Sequence, residues 1–231
     1  MSTHDFTGFD KSLLTYLKQL TRNNNREWFQ KNKSRYEEKL LEPCLEFIRA
    51  FEPRLKKLSS YFVANDSRDG GSLMRIYRDT RFAKDKTPYK INVGIQFRHE
   101  MGKDVHAPGY YVHIAPSECF LGVGMWSPPT DALGTIRKSI VDDPAKWQRT
   151  RDNKHFRDQF ELMDDSLKSA PRGFDKNHPL INDLKLKSFC GMQHISAADF
   201  TSKSFIDDVA ISFKASRPFM GFLCDSLKIP F

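Results

Sequence analysis

Long apolar runs are missing from this 231-residue chain, and so are the short motifs that usually announce a reaction. No stretch approaches the roughly 18 consecutive apolar residues a membrane span needs, so no membrane partner is expected. Cysteine is scarce. Cys44, Cys119, Cys190 and Cys224 lie far apart with no C-x-x-C pair. That spacing suits an intracellular protein with reduced, mostly buried thiols, a two-disulfide secreted protein being the alternative. The opening residues MSTHDFTGFDKS are polar and lack the basic-then-apolar layout of a signal peptide, so a cytoplasmic location is expected. No G-x-S-x-G occurs, and the serines have no marked histidine partner. Gly70-Gly71 precedes an expected strand instead of joining a strand to a helix, so it reads as a turn and not as a phosphate loop. His99, His106 and His113 are evenly spaced but have no acidic or cysteine ligand at short spacing. Neither a metal site nor a cofactor is expected. His113 alternates with Tyr111 and is expected to pack in the sheet.

Charge is plentiful. Lys plus Arg outnumber Asp plus Glu by 37 to 29, a net +8 with a pI near 9.3. Such a surplus is compatible with an anionic partner, but it is too diluted to single out nucleic acid. Phenylalanine, at 19 copies, points to an aromatic-rich core.

Leu13, Tyr16, Leu17 and Leu20 fall at i, i+3, i+4 and i+7, the stripe of an amphipathic helix. Asn23-Asn24-Asn25 then breaks that helix and offers a cap for the next, through Trp28, Phe29 and Tyr36. Pro43 begins or kinks a third helical stretch, and Pro53 interrupts it. Four strands are expected after DSRDGGS, over residues 73–82, 91–99, 110–115 and 119–126, with a fifth at 185–195. In the second, Ile91, Val93, Ile95 and Phe97 share one face. Short links make an antiparallel meander the natural arrangement. The period returns to helix over 130–167, divided by Pro144, and again near the C-terminus, where Pro218 suits a helix start. The fold class is therefore α+β: a mainly antiparallel sheet of four to five strands packed with N-terminal and C-terminal helices. No repeat, low-complexity tract or flexible linker interrupts it, so one domain over residues 1–231 is expected.

Residues 75–90, RIYRDTRFAKDKTPYK, hold three arginines and three lysines woven between apolar residues. A regular strand would put Arg75, Tyr77, Asp79 and Arg81 on one face, and Met74, Ile76, Arg78, Thr80 and Phe82 on the other. Arg78 would then lie against the core and require a partner that the local sequence does not identify. Beyond Phe82, the loop brings Lys84, Lys86, Tyr89 and Lys90 near the strand's end. Guanidinium forks beside lysine point charges suit a phosphate or a carboxylate. Asp79, between arginines, is held ionised and is a weak base suited to orienting them. Lys86 or Lys90, crowded by cations, could carry a lowered pKa. The plain alternative is that Asp79 bridges its arginine neighbours while the lysines face solvent.

The order Arg75-x-x-Arg78-Asp79-x-Arg81-Phe82, followed by Asp85-Lys86 and Tyr89, resembles the signature of the family called domain of unknown function 2461. The N-terminal stretch NNNREWFQKNKSRYE and the total length are similar to that family as well. The resemblance covers nearly the whole chain. It implies no reaction, ligand or catalytic residue, and it turns attention to residues 75–90.

The expected function is thus a cationic pocket for a phosphate- or carboxylate-bearing small molecule, of undetermined reaction if the protein is an enzyme. Arg75, Arg81, Lys86, Tyr89 and Lys90 would meet the ligand, with Arg78 and Asp79 organising them. A nucleic-acid-binding module using the same cations is the alternative, and a purely structural cluster is the second. In CFLGVGMWSPP, Gly122 and Gly124 alternate with Phe120 and Trp126 on one strand face. The expectation there is a close-packed helix across the sheet; the alternative is a groove.

Overall fold

The apolar stripe Leu13, Tyr16, Leu17 and Leu20 is the buried face of α1 (Ser12–Arg22) in the computed structural model, which describes residues 6–102 and 107–231. His106, one of the three spaced histidines, and Met1 to Asp5 of the opening stretch lie outside the described residues. Asn25 caps α2 (Arg26–Lys31), its side-chain oxygen accepting from the Trp28 N–H. The following α3 (Lys33–Tyr36) continues through a π-helical turn, Glu37–Leu41, into α4 (Glu42–Leu58). Pro43 sits where the π-helical turn passes into α4, and Pro53 lies inside the helix without ending it.

Three strands form a meander, β1 (Val93–Arg98), β2 (Gly109–Ile114) and β3 (Cys119–Met125). The expected helical span then divides into α5 (Thr130–Asp142), α6 (Pro144–Arg151) and α7 (Lys154–Gln159). Asp143 and Asn153 cap the second and third of these. A two-residue β4 (Glu161–Leu162), a short α8 (Ile181–Leu184) and β5 (Phe189–Ile195) follow, then α9 (Ala197–Phe200), α10 (Phe205–Ala215) and α11 (Arg217–Ser226). The sheet order is β1-β2-β3-β5-β4, antiparallel throughout. This is the α+β architecture expected. The fifth expected strand begins later than 185. Buried Arg137 donates to the Leu184 and Leu186 carbonyls at 2.7 and 2.9 Å, and Leu186 pairs with Ser166 in a separate antiparallel bridge before β5 begins.

Alternation decides the two sides of the sheet. Val93, Ile95 and Phe97, Tyr110, Val112 and Ile114, and Leu121 and Val123 are all buried. Phe97 stacks on Phe51 of α4 at 5.0 Å, and Tyr110 meets Phe213 of α10 at 4.7 Å. Helices from both ends of the chain thus share one apolar cluster with this face. All four cysteines are buried free thiols. No helix among the described residues is long and apolar enough to cross a membrane.

The expected strand at 73–82 does not form as a regular strand. Leu73 bridges Ile95 and Tyr77 bridges Tyr89, so the five residues 73–77 oppose the seven residues 89–95. Ile91 and Asn92 absorb the excess as a bulge, and Ile91 is accordingly exposed instead of sharing the apolar face with Val93. Beyond Arg78 the chain leaves the ladder. Phe82, expected on the apolar face, is 96% exposed.

Candidate functional site

The second face of the sheet is built from what alternation leaves over. Strand register aligns Gln96, Tyr111, Gly122 and Met192 in one row across β1, β2, β3 and β5. Gly94, His113, Phe120 and His194 form the next row. Gly122 leaves the space between Tyr111 and Met192 without a side chain, and a groove of about 410 Å³ opens over it. Met74, Trp126 and Met163 wall it, and Glu118 stands on the β2–β3 turn. Over Gly122 the groove stands where a helix was expected, whereas Gly124 does meet one: a Cβ there would lie 3.0 Å from the Phe219 ring of α11. The two glycines do different work. A Cβ at Gly122 would meet Tyr111 Cβ at an ordinary 3.4 Å. Gly124 has φ +112°, and a Cβ there would fall 2.1 Å from the Phe189 carbonyl oxygen. Only glycine fits that close strand approach.

Tyr111 and His113, two apart on β2, both project into the groove. The Tyr111 hydroxyl and His113 Nδ1 are 3.2 Å apart, a hydrogen bond, and the imidazole stacks on Phe120 at 4.5 Å. A Cβ at Gly94 would lie 2.6 Å from the Tyr111 hydroxyl, so glycine in β1 is what lets that ring lie flat. Burial lowers the His113 pKa, with Glu118 pulling the other way, and burial pushes the Tyr111 phenol up to about 12. Both rings are therefore neutral near pH 7, a polar pair in a mostly apolar lining. His99 has a different place: it is fully buried, its Nε2 donating to the Pro230 carbonyl at 2.8 Å.

The cationic stretch lies outside that lining. None of Arg75, Arg78, Asp79, Arg81, Lys86, Tyr89 and Lys90 contributes to the groove, although Met74, next to Arg75, does. Several of these charges are matched locally. The Arg81 Nε donates to Asp79 at 3.0 Å and its terminal nitrogen at 2.6 Å, so the carboxylate holds the guanidinium fork as expected. Those hydrogen bonds hold the Asp79 carboxyl down at about 2. The partner that Arg78 required is Asp85, at 2.5 Å, with Thr87 beside it. The Thr87 backbone N–H, then Arg78, hold Asp85 down at about 2. Lys86 donates to the Thr80 carbonyl at 2.9 Å. Arg75 and Lys90 differ: neither side chain makes a hydrogen bond or ion pair among the described residues. They share the strand edge where the Lys90 N–H donates to the Ile76 carbonyl. Burial lowers the Lys90 pKa, with Arg75 adding to it.

Tyr89 joins the two stretches on which the family resemblance rests. Opposite Tyr77 it occupies a non-hydrogen-bonded position, so its own N–H and C=O point away from the 72–78 segment. The Asn24 side chain meets both, donating to the Tyr89 carbonyl at 2.9 Å and accepting from its N–H at 3.1 Å. Phe29 of α2 stacks on the Tyr89 ring at 4.1 Å. Tyr89 is thus buried and anchors α2. The groove residues Tyr111, His113, Glu118 and Met192 escaped a reading of motifs. Their signal was the weaker one of polar and aromatic residues on the second face of strands whose first face is apolar.

No curated protein and no solved structure matches the chain. The family model described as "Conserved hypothetical protein (DUF2461)" matches residues 12–222, from the first residue of α1 into α11. The chain therefore belongs to this family, the one that residues 75–82 and the Asn23-Asn24-Asn25 stretch resemble.

Proposed function

We propose that this protein binds a small organic molecule with a flat apolar body in the groove over its sheet. One observation carries the reading: a cavity of about 410 Å³, floored by Gly122, with aromatic and methionine walls and the Tyr111–His113 pair. That size lies within the roughly 300–1,000 Å³ of small-molecule sites, and a mostly apolar lining with few convergent polar groups is their usual make-up.

A second reading keeps the expectation of an anion site on the basic stretch. It is favoured by Arg75 and Lys90, two neighbouring cations with no hydrogen-bonded or ion-paired partner among the described residues. A phosphate or carboxylate would relieve their mutual repulsion, with Arg81, Lys86 and the Asp79 and Arg78 organisers beside it and Tyr89 fixing the backbone. Nucleic acid is the alternative ligand for the same cations.

One thermal-shift screen addresses both. Wild type, Gly122→Val and the double variant Arg75→Ala/Lys90→Ala are challenged with heteroaromatic fragments, phosphate, sugar phosphates, nucleotides, dicarboxylates and short oligonucleotides. A ligand at a hundred times its Kd adds about 2.7 kcal/mol of stability. Fragments are expected to raise the Tm of wild type and the double variant but not of Gly122→Val, whose added side chain occupies the floor. Anions would stabilise wild type and Gly122→Val but not the double variant. If fragments stabilise Gly122→Val as well as wild type, the groove reading is wrong.

A further inference from the structure

We propose that the groove selects a ligand carrying a positively charged ammonium group, an inference that rests on the groove reading above. The net charge of the whole chain, +8, gives no hint of this. The lining reverses that sign. Among the described residues around the cavity there is no lysine or arginine, and Glu118 is the one acidic residue. Its exposed side chain makes no hydrogen bond or ion pair among the described residues, and the neighbouring His113 on which it acts is a neutral ring. The turn that presents it is fixed, the Ala115 N–H donating to the Glu118 carbonyl at 2.9 Å.

The remaining walls suit the same ligand. Tyr111, Phe120 and Trp126 each offer an electron-rich ring, and a cation within about 6 Å of such a face is attracted by its quadrupole. Met74, Met163 and Met192 add soft, polarisable sulfur that adapts to a ligand's outline. An anion would find no counter-charge here, only Glu118 to repel it.

The test uses three probes of matched size: benzyltrimethylammonium, its uncharged carbon isostere neopentylbenzene, and benzenesulfonate. Binding is read by NMR from the methyl signals of Met74, Met163 and Met192 in the full chain labelled at methionine. The expected result is that the cation binds about tenfold more tightly than the uncharged isostere, about fivefold of it from the Glu118 charge and about twofold from the aromatic faces. Benzenesulfonate is expected to be weakest. In Glu118→Gln the advantage of the cation should fall to about twofold while the isostere is unchanged, as for a solvent-exposed charge pair. If the isostere matches the cation in wild type, the charge preference is overturned and the groove reading stands. If the preference persists in Glu118→Gln, the assignment to that carboxylate is overturned. If no probe moves any of the three methyl signals, the groove reading itself fails.

Discussion

Asp79 and Asp85 show how much of the basic stretch is arranged by single carboxylates. Each sits within a few residues of the arginine it holds, and each is drawn down to about 2 by hydrogen bonds that require the ionised form. A depressed carboxyl contributes order that is complete above its ordinary pKa of 3.8 and is lost as the pH falls through about 2. The arrangement of residues 79–87 should therefore persist at pH 4 and give way between about pH 3 and 2. Carbon-detected NMR titration of the two side-chain carboxyls checks this directly; midpoints near 3.8 would refute it. Arg78→Ala separates the causes. Asp85 should rise only part of the way, because the Thr87 backbone N–H is its larger stabiliser, and Asp79 should not move. Sequence reading expected Asp79 to bridge Arg75 and Arg81; it holds Arg81 alone, side chain and backbone N–H together, because the chain has left the ladder there. The same reading missed Asp85 as the partner of Arg78, because that contact depends on the chain leaving the ladder and turning back.

At the scale of elements, periodicity made the long pieces legible. The stripe of α1, the Asn25 cap of α2 and the alternation of β1 follow from local spacing, and so does the meander. What spacing could not give is the docking of one element on another. Residues 73–82 look like a strand by alternation, yet the bulge at Ile91-Asn92 limits their pairing to two bridges. Tyr89 looked like a ligand-facing ring, whereas it is buried against Phe29 with its backbone held by Asn24. Asn24→Ala removes both hydrogen bonds and leaves a partly buried N–H and C=O unmatched. The expected loss is about 1–3 kcal/mol in denaturant unfolding, at the usual cost of abandoned backbone partners. Tyr89→Phe should cost less, because the contact to Asn24 uses the backbone only. A loss below about 0.5 kcal/mol for Asn24→Ala, the range of ordinary surface changes, would mean that α2 is held by the aromatic stack alone.

Across the whole molecule, burial is sharply divided. The central strands lie against helices from both ends of the chain, whereas no backbone–backbone hydrogen bond among the described residues holds 79–87. Local opening costs least where backbone hydrogen bonds are few and exposed, and most in packed strands. Residue-resolved hydrogen exchange should therefore find Val112, Leu121 and Val123 protected close to the global limit. Amides of residues 80–86 should exchange within the dead time, apart from the Arg81 N–H, which Asp79 accepts at 3.2 Å. This gradient bears on function because a ligand can only order what is not already ordered. If phosphate-type ligands bind Arg75 and Lys90, protection should rise across 79–87 while the groove strands stay as they were. A ligand in the groove should instead slow exchange near Met74 and Gln96, at the edge where the sheet meets the basic stretch. Protection of 80–86 equal to that of β3 in the free protein would refute this division. The cations would then be part of the packed fold, and the purely structural reading of the basic stretch would be the correct one.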